Sequence, residues 1–339
     1  MSISRSHKVR WFATLVVLLL CAAVHAQEKP ADVPPLWKGL LGEYVLGDDT
    51  VCVLERDGIL TIRGQSGELA SLRGEDGRTF RVGKNSAGNE EVCVFDRGRN
   101  GTAVTVAIGG RSYKRMFYGG ENGESFRIKP LRAPSLLRRE ALRARPPKEG
   151  GNFLESDLVE LTRLDSTFRL DVRYATTNNF MGEQFYSQAR AFLQRPAARA
   201  LLRVQQALRK RGYSLLIHDA YRPWYVTKMF WDATPQAQRE FVADPAKGSR
   251  HNRGCAVDLS LFDLETGRPV EMVSGYDEFS HRAYPGYAGG TSLQRWYRAL
   301  LRREMEAEGF KVFESEWWHF DFRDWRKYQI GTATFEELR

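Results

Sequence analysis

From Leu41 to about Ile128 the chain never sustains an apolar period of helical length; it breaks into short β-branched and aromatic runs separated by Gly and Asp-Gly. Gly42-Glu43-Tyr44-Val45-Leu46, Ile59-Leu60-Thr61-Ile62, Thr79-Phe80-Arg81-Val82 and Thr102-Ala103-Val104-Thr105-Val106 read as strands. Asp57-Gly58 and Asp76-Gly77 supply the left-handed residues that tight hairpin turns demand. Residues 41–128 are therefore expected to form a small antiparallel β-meander or barrel, preceded by a linker over 27–40. No histidine falls in this stretch and no carboxylate cluster stands out. A binding or spacer role is its default.

Beyond Asn152 the periodicity changes. Pro196 through Arg211 places Ala197, Leu201, Val204 and Leu208 at helical spacing. Tyr213–Asp219 reads as a buried strand ending at Tyr221-Arg222-Pro223, and a second helix runs from about Ser292 to a stop at Gly309. Strands follow at Ala256–Leu264 and Trp317–Phe322. The spacing predicts an α+β unit over 151–339, built around an antiparallel sheet. A chain of 339 residues accommodates both units, each with its own core.

A formal charge of +9, from 51 Lys and Arg against 42 Asp and Glu, hints at nucleic acid, but its distribution removes the hint. Three units sit in residues 1–26, and residues 127–149 hold eight basic side chains against two acidic ones. The rest nearly cancels, so no broad basic face is implied. Residues 129–150, with Pro130, Pro134, Pro146 and Pro147 around an Arg-rich run from Arg138 to Arg145, are expected to link the two units through a short basic helix. Its charge is either a solvated face or a docking site for an acidic polymer or lipid headgroups.

Residues 1–26 combine Arg5, Lys8 and Arg10, an apolar run from Trp11 through Ala23, and the ending Val24-His25-Ala26. That order describes a secretory signal peptide cut after Ala26, and the run is short for a membrane span. The expectation is an exported protein, periplasmic or extracellular, with no transmembrane span after cleavage. In an oxidising compartment Cys52 and Cys93, both in strand-like runs, could be bridged or could remain two buried thiols. Cys255 shares parity with Val257 and reads as core.

All four histidines after residue 26 lie in the second unit, and two have unusually loaded surroundings. In Ser249-Arg250-His251-Asn252-Arg253-Gly254-Cys255-Ala256-Val257-Asp258, the core alternation of Val257, Leu259 and Leu261 turns Asp258 to the opposite face. In Glu316-Trp317-Trp318-His319-Phe320-Asp321, Trp318, Phe320 and Phe322 share one parity and leave His319 and Asp321 on the other. Two imidazoles and a carboxylate, His251, His319 and Asp258, make a zinc set with a fourth position open to water. Glu316 is the candidate base, provided a bulge brings it to the face of His319. Hydrogen-bonded core histidines are the alternative. Arg222, stiffened by Pro223, either faces an oxyanion or pairs with Asp219.

The motifs Ser-x-His-x-x-Gly-x-Ala-x-Asp at 249–258, Glu-x-x-His at 316–319, Asp219-Ala220-Tyr221-Arg222-Pro223 and Asp171 through Phe180 together resemble the D-alanyl-D-alanine dipeptidases. These are zinc peptidases of the family that includes the vancomycin-resistance dipeptidases, related more distantly to peptidoglycan carboxypeptidases and the hedgehog fold. The resemblance covers about 150–339. It implies one zinc ion on His251, Asp258 and His319, with Glu316 as general base and Arg222 as transition-state stabiliser. Met272-Val273-Ser274-Gly275-Tyr276-Asp277 matches the stretch whose acid binds the substrate ammonium in that family, which implies Asp277 as anchor. Ser249 and Tyr174 fall at substrate-pocket positions, whereas His218 reads as structural and His281 as a loop residue. The β unit loosely resembles lipocalin-like modules of exported hydrolases, through Leu41-Gly42-Glu43-Tyr44 and Asp57-Gly58-Ile59-Leu60.

The function so implied is hydrolysis of D-alanyl-D-alanine or related dipeptides in peptidoglycan turnover or salvage, with contact to peptidoglycan or an acidic wall polymer conceivable through the basic stretch. The alternatives are a DD-carboxypeptidase acting on longer wall peptides and a wall-binding protein without catalysis. No nucleic-acid partner is expected.

Overall fold

A computed structural model describes residues 28–74, 76–82, 91–119 and 125–338. The proposed signal segment lies outside them. Eight strands, β1 (Gly42–Leu46), β2 (Asp49–Arg56), β3 (Ile59–Arg63), β4 (Leu69–Arg73), β5 (Thr79–Val82), β6 (Glu91–Arg97), β7 (Ala103–Ile108) and β8 (Arg111–Arg115), pair in chain order. β8 returns to β1, closing a barrel that leaves no free edge. Asp57 at φ 52° and Gly58 at φ 81° form the hairpin turn between β2 and β3. Tyr44, Val53, Leu60, Phe80, Phe95 and Val106 fill the interior.

Cys93 belongs to that interior, whereas Cys52 pairs across strands with Glu43 on the other face and meets Tyr287 of the second unit. Opposite faces of the barrel wall keep the two sulfurs apart. All three described cysteines are free thiols, and Cys255 is fully buried core.

The second unit is α+β. A two-stranded sheet joins β9 (Leu158–Glu160) to β11 (Phe192–Gln194), while the main sheet runs β10 (Arg169–Leu170), β12 (Tyr213–Asp219), β13 (Ala256–Asp263), β16 (Glu316–Phe322), β15 (Phe310–Phe313), with β14 (Arg268–Pro269) also on β13. β10 and β12 are parallel; every other pair is antiparallel. Helix α4 (Arg195–Arg209), opened by Pro196, buries Ala197, Leu201, Val204 and Leu208 on one stripe. Helix α6 (Ser292–Ala307) begins with a Thr291/Gln294 capping box and gives way to Gly309 at φ 84°. Replacing fully buried Leu201 by Ala should cost about 2–5 kcal/mol, seen as an earlier urea transition with kcat unchanged.

The basic stretch is more than a connector. Its helix α2 (Pro134–Arg143) buries Leu137 and Ala141 in the core of the second unit and packs on α5 (Trp224–Ala233). Arg139, Arg143, Arg145 and Lys148 remain exposed. Among the described residues no helix is long and apolar enough to cross a membrane.

Two buried barrel carboxylates dock the units. Glu43 accepts from His281 Nε2 at 2.8 Å, from the Tyr287 hydroxyl at 2.9 Å and from Tyr118. Glu55 accepts the Ser292 backbone N–H at 2.6 Å, at the start of α6, while Arg295 donates to its carbonyl at 2.7 Å. The Glu43 carboxylate raises the pKa of His281 against the opposing effect of burial.

Candidate active site

Antiparallel register aligns Asp219 of β12 with Asp258 of β13, and Asp258 with His319 of β16. His251 arrives from beyond the sheet on a short turn (His251–Arg253) that Gly254 ends at φ 66°. A side chain at 254 would both strain this left-handed backbone and collide with Leu158. The turn therefore lays His251 against the strand ends.

His251 Nε2 and His319 Nδ1 lie 3.1 Å apart, and Asp258 Oδ1 is 3.3 Å from the first and 3.0 Å from the second. The outward nitrogens have their own partners: His251 Nδ1 meets the Ala220 carbonyl at 2.7 Å and His319 Nε2 meets Asp321 Oδ1 at 2.9 Å. With those protons held outward, two imidazole lone pairs and a carboxylate oxygen converge. Such a set repels itself unless a cation stands among its members, and Asp258 Oδ1 is buried with no hydrogen-bond donor. Ligand atoms about 2.0–2.1 Å from a tetrahedral zinc lie about 3.3 Å from one another, so these residues fit a metal ion.

Electrostatics describe the same demand for positive charge. Burial works against a charged His319, yet Asp321 and Asp258 outweigh it and raise its pKa to about 10. Asp258 is buried too, but His251 and His319 hold its carboxyl well below the usual range.

Glu316 Oε2 stands 3.6 Å from His319 Nδ1. A regular strand would point these side chains to opposite faces. The β15–β16 register jumps from Val312–Phe320 to Phe313–Glu316, and this irregularity is the bulge the spacing requires. Burial, with Asp258 adding and His319 opposing, pushes the Glu316 pKa up to about 7.

Arg222 pairs with Asp219 and also reaches the cavity wall. Its Nε and Nη2 bond Asp219 Oδ2 at 2.9 and 2.8 Å, and the guanidinium still lines the cavity, 3.6 Å from Asp258 Oδ2. Asp219 Oδ1 accepts from Tyr186 at 2.8 Å, fixing the pair from behind.

The cavity itself measures about 110 Å³, with Tyr174, Arg222, Ser249, Asp277 and Glu316 on its walls. Asp277 is buried at φ 57°, and the Tyr174 hydroxyl donates to its Oδ2 at 2.9 Å. Burial and neighbouring Asp258 push its pKa well up, so a cation beside it would be welcome. Ser249 Oγ accepts from the Asn252 N–H at 3.3 Å, a turn-holding contact. His218 lies outside this cavity, 3.3 Å from Asp171 and stacked on Tyr276 at 4.7 Å, as a structural residue would. His281 faces the barrel instead.

Further residues shape the site beyond those the sequence reading gave a role. Asp321 orients His319, and its shared parity was the available signal. Tyr276 donates to Asp258 Oδ2 at 3.0 Å, and Phe241 stacks on Phe279 at 5.0 Å across the cavity's outer wall. Neither contact has a signature in spacing.

His251, His319, Asp258, Asp277, Glu316 and Arg222 thus line one small cavity, where two imidazoles and a carboxylate could hold a metal ion. Residues 154–330, more than half of the chain, match the peptidase M15 family model, described as D-ala-D-ala dipeptidase, and the chain belongs to that family of peptidases. The D-alanyl-D-alanine dipeptidase of Escherichia coli K12 is 34% identical over 180 residues, 53% of this chain and 92% of that protein. That of Enterococcus faecium is 33% identical over 174 residues (46% and 86%), and that of Enterococcus faecalis V583 is 31% identical over 189 (50% and 94%). The family match begins past the barrel.

Proposed function

We propose that the protein is an exported zinc dipeptidase that hydrolyses D-alanyl-D-alanine or related dipeptides in peptidoglycan turnover or salvage, on a hedgehog-like catalytic fold. The observation that carries this reading is the convergence of His251, Asp258 and His319 beside buried Asp277 in one small cavity. The named relatives support the substrate class, and the basic, apolar and small-residue order of residues 1–26 supports export. The exposed basic residues of 139–148 are the contact offered to an acidic wall polymer.

His251, Asp258 and His319 would hold a zinc ion, which would supply a Lewis acid and lower the pKa of a nearby water toward about 7. Glu316 takes the attacking water's proton and returns it to the departing amine nitrogen as the peptide C–N bond breaks. Arg222, fixed by Asp219, faces the oxyanion that forms on the carbonyl oxygen. Asp277, aligned by Tyr174, pairs with the substrate ammonium.

A panel of LL-, LD- and DD-dipeptides, together with an N-acylated tripeptide ending in D-Ala-D-Ala, tests the reading with zinc supplied. Cleavage of DD-dipeptides is expected to exceed that of the blocked tripeptide by about 10²-fold or more, because blocking the amine leaves buried Asp277 unpaired. The reverse preference makes the protein a DD-carboxypeptidase. Binding without turnover makes it a wall-binding protein.

A further inference from the structure

The barrel lies outside the family match, yet its outer face touches the loop that carries Asp277. Glu43 is 3% exposed and holds three donors, two of them, His281 and Tyr287, from the far end of that loop. The third, Tyr118, follows β8 and supports the Arg282 guanidinium, whose centre lies 4.9 Å from its ring centroid. Arg282 Nε pairs with Glu278 at 3.2 Å and Nη2 donates to the Val273 carbonyl at 3.1 Å. Glu278, next to Asp277 and also buried, accepts from Ser280 Oγ at 2.6 Å and from the Gly275 N–H at 3.3 Å. A continuous polar path thus runs from the barrel wall to the residue beside the cavity acid.

Asp277 needs such support. A non-glycine residue in the left-handed region is strained, and such conformations persist where surrounding contacts over-determine them. Glu43 with His281 and Tyr287, and Arg282 with Glu278 and Val273, are the contacts that tie this loop down.

We propose that the β-barrel tunes substrate affinity, with Glu43 as a positioning residue that holds residues 273–287 through His281, Tyr287 and the Tyr118–Arg282–Glu278 chain so that Asp277 meets the ammonium. The inference rests on Asp277 as ammonium anchor. Glu43 touches no substrate; it acts by fixing where the anchor stands. A short relative without a barrel must hold the same loop by other means, and here the docking makes the loop's register depend on a second unit.

The test is a double-mutant cycle in the full-length mature protein, with kcat and KM measured on D-alanyl-D-alanine. Glu43→Ala is expected to raise KM about tenfold with kcat within about twofold. His281→Ala should do the same, and His281→Gln, which restores a donor to Glu43, should recover most of the loss. Asp277→Asn should lower kcat/KM strongly, and Glu43→Ala added to it should cost little more, because the brace acts through the anchor. Additive losses, or a kcat loss at unchanged KM, overturn the brace while leaving the anchor intact. An Asp277→Asn variant with unchanged KM overturns both. Tyr287→Phe, which removes one hydroxyl, substitutes if Glu43→Ala does not fold.

Discussion

Glu316→Gln should leave one metal ion per chain in place and lower kcat by about 10²–10⁴-fold, the range for removing a positioned general base. Gln keeps the volume of Glu and cannot accept the water's proton. The metal is expected to stay because the triangle of His251, Asp258 and His319 does not include Glu316, whose carboxylate is 3.6 Å from His319 Nδ1. Its position is also one where a proton can be taken near neutrality, since burial raises its pKa to about 7. Metal analysis of the dialysed variant beside its steady-state kinetics decides the point. Turnover within tenfold of the parent protein would remove Glu316 from the chemistry.

His319→Ala should abolish both metal retention and turnover. Two remaining ligands hold an ion far less well than three, and Asp258 would keep its charge with one imidazole gone. The distinguishing measurement is thermal stability. A bound ion stabilises the folded parent by mass action, so a chelator should lower its Tm, while the variant should not respond. A chelator-sensitive variant that still binds metal would show that His319 is not a ligand. His319→Gln, which can still donate to Asp321, separates loss of the ligand from loss of the Asp321 contact.

Much of the site is legible in the chain because strand parity is a local property. Val257, Leu259 and Leu261 turn Asp258 away from the core, and Trp318, Phe320 and Phe322 do the same for His319 and Asp321. The structure then places Asp258 and His319 as direct cross-strand partners. The barrel strands and the Asp57-Gly58 hairpin were legible for the same reason, as were the two long helices, to within two residues at their ends.

What escaped depends on distant segments meeting. Nothing near Glu43 announces that it will receive His281 and Tyr287 across more than two hundred positions. Cys52 and Cys93 look alike in sequence, and only closure of the barrel separates them, one inside and one facing Tyr287. The basic stretch was expected as a connector, but Leu137 and Ala141 bury it against α5, a contact its charge count conceals.

By itself the chain determined the kinds of element and the strand parity that turns Asp258 and His319 away from the core. Periodicity and residue chemistry act over a few positions, and those survive folding unchanged. Only the tertiary structure decided that Glu316 shares the face of His319, that Arg222 both pairs with Asp219 and lines the cavity, and that Glu43 of the barrel contacts His281 and Tyr287 in the segment that follows Asp277. Each of these is set by register or docking between segments far apart, where burial and Coulomb interactions act on groups the sequence does not bring together.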